Sequence, residues 1–300
     1  MNGIFKQDDS LYSIEYSSQQ NKHYIDTWDH KENIIDCGSN ATVQNITGRD
    51  VSVDELRNLY LPVAVVVDYG LYLAANKSEN QIESAVVDII NMVSKLYKPL
   101  NVFVTLVELE IWHEKYMFEV PQTSRPLLRK FREYRQQVPS KQWHCHRNAV
   151  FMTNTAIMND RRSYVRGTAY QDNTCENDYE LAVSFISTYD LNRRGISEAM
   201  AHEIGHNLGM EHDTNICKCD SGTNTCLMKP REDGKWTENW SSCSLERLLY
   251  HQQLDKNKCL FEEYTGCTHK ISTEIIIAII AFILVALIAM AIFLFTLYVK

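Results

Sequence analysis

Apolar runs alternate with helix-like patterns along the middle of the chain. Short β-branched runs predict strands, whereas apolar residues spaced three or four apart predict helices. The predicted strands are Leu61–Gly70, Asn101–Trp112, Asn148–Asn154 and Glu180–Thr188. The predicted helices are Glu79–Tyr97, Ser124–Gln137 and Gly195–Gly209. This alternation is typical of an α/β domain around a mostly parallel sheet, and after Gly209 the regular pattern fades while cysteines become frequent.

The two ends of the chain differ from this middle part. Residues 1–57 are polar and rich in turn formers, and Gly38–Asp50 within them is expected to form a loop or linker. The stretch Ile275–Val299 has 25 residues and no charge, and about 20 apolar residues suffice to cross a bilayer as a helix. We therefore expect a folded domain at 58–265, a short linker at 266–274 and a transmembrane helix at 275–299.

Cysteines and glycosylation triplets bear on the compartment. Of nine cysteines, seven fall between Cys175 and Cys267, and disulfides persist in oxidising, extracellular surroundings. Asn-x-Ser/Thr triplets begin at Asn40, Asn45, Asn76 and Asn239. Both patterns favour a single-pass membrane protein whose residues before the span are extracellular or lumenal.

The N-terminal stretch has no apolar core of the kind that a signal peptide carries. A tail-anchored protein facing the cytosol would fit that observation, but disulfides would not persist there. We expect instead that the chain is part of a longer precursor, and that residues 1–57 include the tail of its propeptide. The net charge of −8 argues against a nucleic-acid partner.

Three histidines within eleven residues give the strongest chemical signal. His202 and His206 are four residues apart on a predicted helix, so both rings leave the same face. Gly209 ends that helix, so the chain can turn back and bring His212 to the same point. Three protein ligands and one open position are what a catalytic zinc site needs. The spacing therefore predicts one Zn²⁺ ion held by these three histidines.

Glu203 directly follows the first histidine and is expected to lie beside the metal rather than bind it. Zinc lowers the pKa of its water to about 7 and polarises a substrate carbonyl. Glu203 is then placed to take the proton of the water and to pass it to the leaving amine. A histidine pair at this spacing arises often by chance, whereas the full string H-E-x-x-H-x-x-G-x-x-H rarely does.

The stretches His202–Asp213 and Cys226–Pro230 resemble the metzincins, and within them the reprolysin or ADAM family, which includes the snake-venom metalloproteinases. The resemblance extends over roughly Arg57–Glu262. It implies a zinc protease with a mixed, mostly parallel twisted sheet, a long active-site helix and a disulfide-rich, irregular C-terminal subdomain. It also matches Asp213 to the aspartate after the third histidine, and Met228 to the methionine of a tight turn beneath the metal.

Three disulfides are implied by the same resemblance, whereas spacing alone leaves the pairing open. They are Cys175–Cys259, Cys217–Cys243 and Cys219–Cys226. The last of them would lie just before Met228 and could brace its turn.

A structural calcium ion is common among the relatives, which use a glutamate on the first strand, an aspartate before a central strand and an asparagine near the domain's end. The corresponding positions here are Pro62, Arg147 and Glu262. Calcium needs several oxygen ligands, which proline and arginine side chains do not supply. We predict that this calcium site is absent, and we hypothesise an Arg147–Glu262 ion pair in its place.

Cys37, followed by a glycine, resembles the cysteine late in the family's propeptide that ligates the zinc and keeps the enzyme latent. A thiolate in the open position would exclude water. Alternatively, Cys37 is unpaired or forms a disulfide with Cys145 or Cys267. No basic processing site of the Arg-x-Lys-Arg type lies between Cys37 and Leu61, which argues against activation by a furin-like protease.

The leading interpretation is a membrane-tethered zinc endopeptidase that cleaves extracellular or cell-surface proteins. The stretch Arg166–Cys175 resembles the family's edge strand and following loop, along which a peptide substrate would bind as an added strand. Only 275–299 is expected to contact lipid. The alternative is a catalytically silent or latent surface binding protein whose zinc site stabilises the fold. The short stretch between Cys259 and Ile275 leaves no room for the disintegrin and cysteine-rich domains that ADAM proteins usually carry.

Overall fold

The structure is a computed structural model of the chain. It describes residues 51–137, 146–175, 182–189, 191–219, 225–230 and 237–263, together with the backbone of four strands before residue 51. The chain divides into two units, one comprising 1–139 and 146–264, the other 140–145 and 265–300. The second unit lies outside the described residues. The fold described is therefore that of the first unit alone.

The helices of the described residues are α1 (Tyr69–Ala74), α2 (Glu79–Tyr97), α3 (Ser124–Gln137), α4 (Arg193–Asn207) and α5 (Ser242–Gln253). Short 3-10 helices span Val53–Glu55, Lys98–Leu100 and Asp255–Phe261. The strands are β1 (Gly3–Gln7), β2 (Ser10–Ser17), β3 (Lys22–Trp28), β4 (Ile34–Asp36), β5 (Leu59–Val67), β6 (Val102–Ile111), β7 (Asn148–Thr153), β8 (Ile157–Met158), β9 (Tyr164–Val165), β10 (Gly167–Tyr170) and β11 (Ala182–Ser187).

Six of these strands form the central sheet, in the order β4-β10-β11-β7-β5-β6. The strands β11, β7, β5 and β6 are mutually parallel, whereas β10 runs antiparallel to β11, and β4 antiparallel to β10. Two smaller antiparallel sheets consist of β1-β2-β3 and of β8-β9. The predicted α/β domain with a mixed, mostly parallel sheet is therefore confirmed.

Helices cover both faces of the central sheet. Val150 and Met152 of β7 belong to the same core as α2 and α4, which contribute Val93 and Ile204 among others. Phe151 lies between them in the strand and therefore points to the opposite face, where its ring centroid is 5.2 Å from that of Phe131 in α3. Parallel strands are usually buried on both faces, and here that burial fixes α4 against the sheet.

The end of the first predicted strand is corrected by the structure. We expected Leu61–Gly70 to be extended, but β5 ends at Val67 and the helix α1 begins two residues later. Asp68 caps this helix, because its Oδ1 accepts a hydrogen bond from the amide of Leu71 at 2.7 Å. The other oxygen, Oδ2, accepts one from Thr153 Oγ1 at 2.6 Å, which ties the cap to β7.

The stretch after Gly209 is less irregular than expected, because it contains the twelve-residue helix α5. Ser241 starts this helix, since its Oγ accepts a hydrogen bond from the amide of Ser244 at 3.0 Å. Leu248 joins the main core, but the other buried positions of α5 are largely polar, among them His251 and Gln252. Buried polar residues weaken the apolar periodicity by which such a helix is recognised.

The four strands β1–β4 within residues 1–57 are not among the predicted elements, and the expected loop or linker at 38–50 lies outside the described residues. In β2, Tyr12, Ile14 and Tyr16 alternate with polar residues, a strand signal that the turn-rich composition obscures. The last strand, β4, extends the central sheet, with Asp36 opposite Thr168.

Several expected features lie outside the described residues. They are the 275–299 span, the 266–274 linker, the glycosylation candidates Asn40 and Asn45, and the cysteines Cys37, Cys145 and Cys267. Among the helices that the structure describes, none combines the length and the hydrophobicity that crossing a bilayer requires.

Candidate metal centre and substrate cleft

Helix α4 carries most of the candidate site. Asn192 caps its first turn, because Oδ1 accepts a hydrogen bond from the amide of Gly195 at 2.9 Å. Nearly every residue from Ile196 to Asn207 is buried, so the helix lies inside the fold rather than on its surface. The chain leaves it at Gly209, whose φ of +82° lies in the left-handed region that glycine adopts with least strain. The following residues can therefore turn back toward the helix.

This turn brings three imidazole rings together. His206 Nε2 lies 3.0 Å from His202 Nε2 and 3.1 Å from His212 Nε2, and the remaining pair of Nε2 atoms is 3.2 Å apart. All three side chains are buried. The convergence that the sequence spacing predicts is present in the structure.

The hydrogen bonds on the far side of two rings define which nitrogen carries the proton. His202 Nδ1 donates to the carbonyl oxygen of Leu227 at 2.6 Å, and His206 Nδ1 donates to that of Met210 at 2.8 Å. A carbonyl only accepts, so the proton of each neutral ring is on Nδ1 and the lone pair is on Nε2. Two lone pairs thus face each other across a short gap, an arrangement that needs a cation between them.

Zinc fits this arrangement. Bonds of about 2.0–2.1 Å at tetrahedral angles would set the ligand nitrogens about 3.3 Å apart, close to the observed separations of 3.0–3.2 Å. Burial lowers the pKa of His202 to about 3, and the neighbouring His212 contributes to the same shift as the second cause. Burial likewise holds the pKa of His206 well below its ordinary value. Neutral rings are the form that binds a metal.

Glu203 lies between the histidines and β10. Its side chain is fully buried, and it packs so closely on Gly167 that a Cβ there would be 2.6 Å from Glu203 Cγ and 2.7 Å from Oε1. Tyr97 lies on the other side, with its hydroxyl donating to the carbonyl of Ala201 at 2.7 Å. Burial and, after it, the Glu203 carboxylate raise the pKa of Tyr97. The glutamate is therefore held against the strand that borders the cleft.

The turn at Met228 supports the helix from below. Met228 is fully buried, and a Cβ added to Gly205 would lie 2.7 Å from its Sδ. The Met228 carbonyl accepts a hydrogen bond from the amide of Asp213 at 2.7 Å, and Ser241 Oγ donates to the Asp213 carboxylate. Asp213 thus connects the third histidine to the methionine turn, which are the two places that the family resemblance assigned to these residues.

Asn207, next to the second histidine, links α4 to three strands. Its amide nitrogen donates to the carbonyls of Tyr170 at 2.7 Å and Val183 at 3.2 Å. Its side-chain oxygen accepts from Asn148 Nδ2 at 2.7 Å, and its own carbonyl accepts from Thr174 Oγ1 at 2.6 Å. These buried hydrogen bonds fix the position of α4, and therefore of His202 and His206, relative to β10. The local sequence does not predict this role of Asn207, because its bonding partners lie far away in the chain.

Strand β10 lies within the stretch Arg166–Cys175, for which the family resemblance implies an edge strand, and in this structure it pairs with β11 on one side and β4 on the other. In the described chain β4 lies outside it, with Ile34 opposite Tyr170, Ile35 opposite Ala169 and Asp36 opposite Thr168. The next position along β10 is Gly167, on which Glu203 packs. A strand of this chain therefore occupies the position at which a peptide would add to the sheet.

The six cysteines of the described domain form three disulfides, Cys175–Cys259, Cys217–Cys243 and Cys219–Cys226. They are the pairs that the family resemblance implies. The last of them closes the loop that leads into the Met228 turn, and Leu227, directly after it, provides the carbonyl that orients His202.

The three positions aligned with a calcium site differ in their contacts. The Arg147 amide donates to the carbonyl of Pro62 at 2.8 Å, so these two residues are adjacent as aligned. The ion pairs among the described side chains do not include one between Arg147 and Glu262. The hypothesis of a substituting ion pair is therefore wrong.

A buried histidine triad with a neighbouring buried carboxylate is the arrangement of a metal-dependent hydrolase site. Comparison with known proteins specifies the class. The model of the Reprolysin (M12B) family of zinc metalloproteases matches residues 59–263. The snake venom metalloproteinase trimerelysin-2 of Protobothrops flavoviridis is 32% identical over 186 residues, which cover 62% of this chain and 87% of that protein.

Two solved structures are more distant. Metalloproteinase-II from Bacteroides fragilis is 14% identical with a TM-score of 0.45, over 83% of this chain and 75% of its own. A chain in a chaperone-substrate complex is 12% identical with a TM-score of 0.46, over 83% of this chain and 37% of its own. Neither likeness is close enough to carry an argument. On the family match and the venom relative, the chain belongs to the reprolysin family of zinc metalloproteases, and it is a zinc metalloendopeptidase.

The contact between Gly167 and Glu203 generates a prediction. Gly167→Ala places a methyl group against the carboxylate and 2.8 Å from the Phe185 carbonyl, so Glu203 must move. A displacement of about 1 Å costs on the order of 100-fold in rate. We expect kcat for a peptide substrate to fall accordingly while the zinc content, measured by atomic absorption, stays the same.

Gly195→Ala is the matched control, because the nearest atoms to a Cβ there are Leu191 Cδ2 at 3.3 Å and Asn192 Oδ1 at 3.6 Å, neither of which belongs to the metal site. Unchanged kcat in the Gly167 variant would contradict the proposed role of this contact.

Proposed function

We propose that the chain is a membrane-tethered endopeptidase that cleaves extracellular or cell-surface proteins, with Glu203 as the general base. The observation that carries this is the packing of Glu203, the residue after the ligand His202 in α4, against Gly167 of β10. A peptide added alongside β10 would bring its backbone to the carboxylate and to the three nitrogens at once. Protein substrates are implied by the family itself.

The residues act on the peptide bond in two proton transfers. His202, His206 and His212 would hold a zinc ion, which would supply a Lewis acid that lowers the pKa of water and polarises the carbonyl. Glu203 takes a proton from the water as its oxygen attacks the carbonyl carbon. The carboxylic acid thus formed gives the proton to the amine nitrogen as the C–N bond breaks. Burial of the site keeps bulk water away from this carboxylate.

A second candidate is a silent surface protein whose zinc serves only the fold. Structural zinc is almost always bound by four protein ligands. A site with only three histidine ligands therefore argues against a purely structural zinc ion. The buried carboxylate argues in the same direction, since a purely structural site gains nothing from a desolvated base.

The tether and the compartment rest on three observations. The uncharged Ile275–Val299 stretch is long enough to span a bilayer. Three disulfides in the described domain fit an oxidising compartment. Asn76 is exposed in the turn between α1 and α2, where a glycan could be attached, whereas Asn239 is half-buried. We propose a single-pass protein with its catalytic domain extracellular or lumenal.

The position of the strand β4 supports a proposal that the enzyme is latent in this chain. It runs antiparallel to β10 toward Gly167 and ends at Asp36, directly before Cys37 in the sequence. We propose that this segment blocks the cleft and that the Cys37 thiolate closes the open metal position. The alternative pairings of Cys37 with Cys145 or Cys267 would leave the block to β4 alone.

We propose that the domain does not need a structural calcium ion. The side chains of Pro62 and Arg147 offer no oxygen ligand, and their backbones already bond to each other.

Glu203→Gln tests the reaction. It is made in the full chain, extracted with detergent from the membrane fraction, with a cleavage site for a sequence-specific protease inserted between residues 50 and 51. After cutting, the unmodified sequence should cleave a fluorogenic peptide library, and the variant should lose on the order of 1,000-fold in kcat with unchanged zinc content. Equal zinc content with no cleavage by either chain would favour the silent binding protein, and recovery from the soluble fraction would contradict the tether.

Cys37→Ser tests latency in the uncut full chain. Peptide cleavage should rise at least tenfold, because serine is a far weaker zinc ligand than a thiolate. Cys145→Ser is the matched control and should leave activity unchanged. Activity that appears only on cutting after residue 50, and not with Cys37→Ser, would assign latency to β4 without the thiol.

Thermal unfolding of the cut chain tests the calcium proposal. The melting temperature should be the same in millimolar calcium and in a calcium-selective chelator, because ligand binding raises it only where a site exists. A rise in the presence of calcium would overturn the proposal.

A further inference from the structure

An exposed cluster of tyrosine and arginine side chains lies at the amino-terminal end of β10. We call Arg161, Arg162, Tyr164, Arg166 and Tyr189 the tyrosine–arginine rim. Tyr164 is 66% exposed and Tyr189 53%, and their rings stack on each other with centroids 6.0 Å apart. Two large aromatic rings held together in solvent are a common feature of binding surfaces.

The tyrosine–arginine rim is positively charged, whereas the chain as a whole is negatively charged. The whole chain has a net charge of −8, yet the stretch 157–166 contains three arginines and one acidic residue, Asp160. Asp160 is paired with Arg125 of α3 at 3.5 Å. Arg161 and Arg162 are exposed to solvent. A positive field therefore faces solvent at this end of the cleft.

The turn that presents the two arginines is well defined. Asn159 Oδ1 accepts hydrogen bonds from the amides of Arg161 and Ser163, both at 3.0 Å. Arg162 has a φ of +60°, and its amide donates to the Asn159 carbonyl at 2.9 Å. The hairpin is joined to the segment before α3 by a hydrogen bond from the Met158 amide to the Gln122 carbonyl at 2.9 Å. The arginines thus project from an ordered support.

The direction of a bound strand leads to the rim. The strand β4 passes Tyr170 first and Thr168 last, so a substrate in the same orientation proceeds toward Gly167, where Glu203 packs. Beyond the cleaved bond it meets Arg166, whose carbonyl accepts from the Ser187 amide at 2.8 Å. Tyr164 and Arg166 precede Gly167 by three residues and one residue in the chain, so at about 3.3 Å per residue a substrate strand needs about three to five residues after the bond to reach the rim.

We propose that the tyrosine–arginine rim binds an acidic segment of the polypeptide substrate, about three to five residues to the C-terminal side of the cleaved bond. The proposal rests on the proposed endopeptidase function and names the substrate class it prefers. Arginines pair with carboxylates through two hydrogen bonds, and the stacked tyrosines offer a flat surface for the intervening side chains. A peptide is favoured over a sulfated polysaccharide because the rim adjoins the amino-terminal end of β10, alongside which a peptide would add as a strand.

The test compares two fluorogenic peptides that differ only at these positions, with Asp-Glu-Asp in one and Lys-Gln-Lys in the other. In the cut chain, kcat/KM should be on the order of tenfold higher for the acidic peptide, and the preference should shrink in high salt. The double variant Arg161→Glu, Arg162→Glu should abolish or reverse the preference. The control Lys77→Glu, Lys98→Glu makes the same charge change at exposed positions flanking α2, and it should keep the preference.

Binding of the same peptides to the Glu203→Gln variant is measured by fluorescence anisotropy. It tests the preference of the rim for acidic peptides separately from the proposed endopeptidase activity. Tighter binding of the acidic peptide that is lost on Arg161→Glu, Arg162→Glu supports the rim even if no chain cleaves. Equal cleavage and equal binding of both peptides overturn the rim and leave the protease intact. Heparin binding without discrimination between the peptides also overturns it and assigns the surface to a polysaccharide.

Discussion

Three imidazole nitrogens held 3.0 to 3.2 Å apart in a buried site are the constraint on which the rest of the structure depends. Two of them present lone pairs, because their partner nitrogens are committed to backbone carbonyls. Unpaired lone pairs in a low-dielectric interior are costly, so the fold must hold the rings together until a cation binds. Each of the surrounding elements can be understood as part of that support.

The support comes from two directions. From below, Met228 and Leu227 belong to one turn, which packs under α4 and orients His202. From the side, Asn207 ties the end of the same helix to the carbonyls of Tyr170 and Val183. A single helix thus carries His202 and His206, and Asn207 at its end fixes that helix relative to β10 and β11.

The metal ligands could be predicted from the sequence because they are local, since a helical spacing and one glycine determine where three side chains meet. Gly167 and Asn207 could not, because their roles depend on a strand and a helix that are far apart in the chain. The strand β4 escaped prediction for a related reason, since its pairing with β10 is set by the sheet and not by its three residues. The helix α5 was obscured by the polar residues that it buries.

Helix α5 also fixes the loop after β10 relative to the histidine triad. His251 of α5 bonds through Nδ1 to Asp172 Oδ1 at 2.8 Å, and the Asp172 amide donates to the His206 carbonyl at 3.0 Å. Gly209 lies against the same imidazole, where a Cβ would be 3.0 Å from Nδ1. The absence of a side chain at Gly209 therefore serves two purposes, because it permits the turn toward His212 and leaves space for the helix that anchors the cleft wall. Polar burial in α5, which hid it from the sequence pattern, is thus a consequence of its position behind the site.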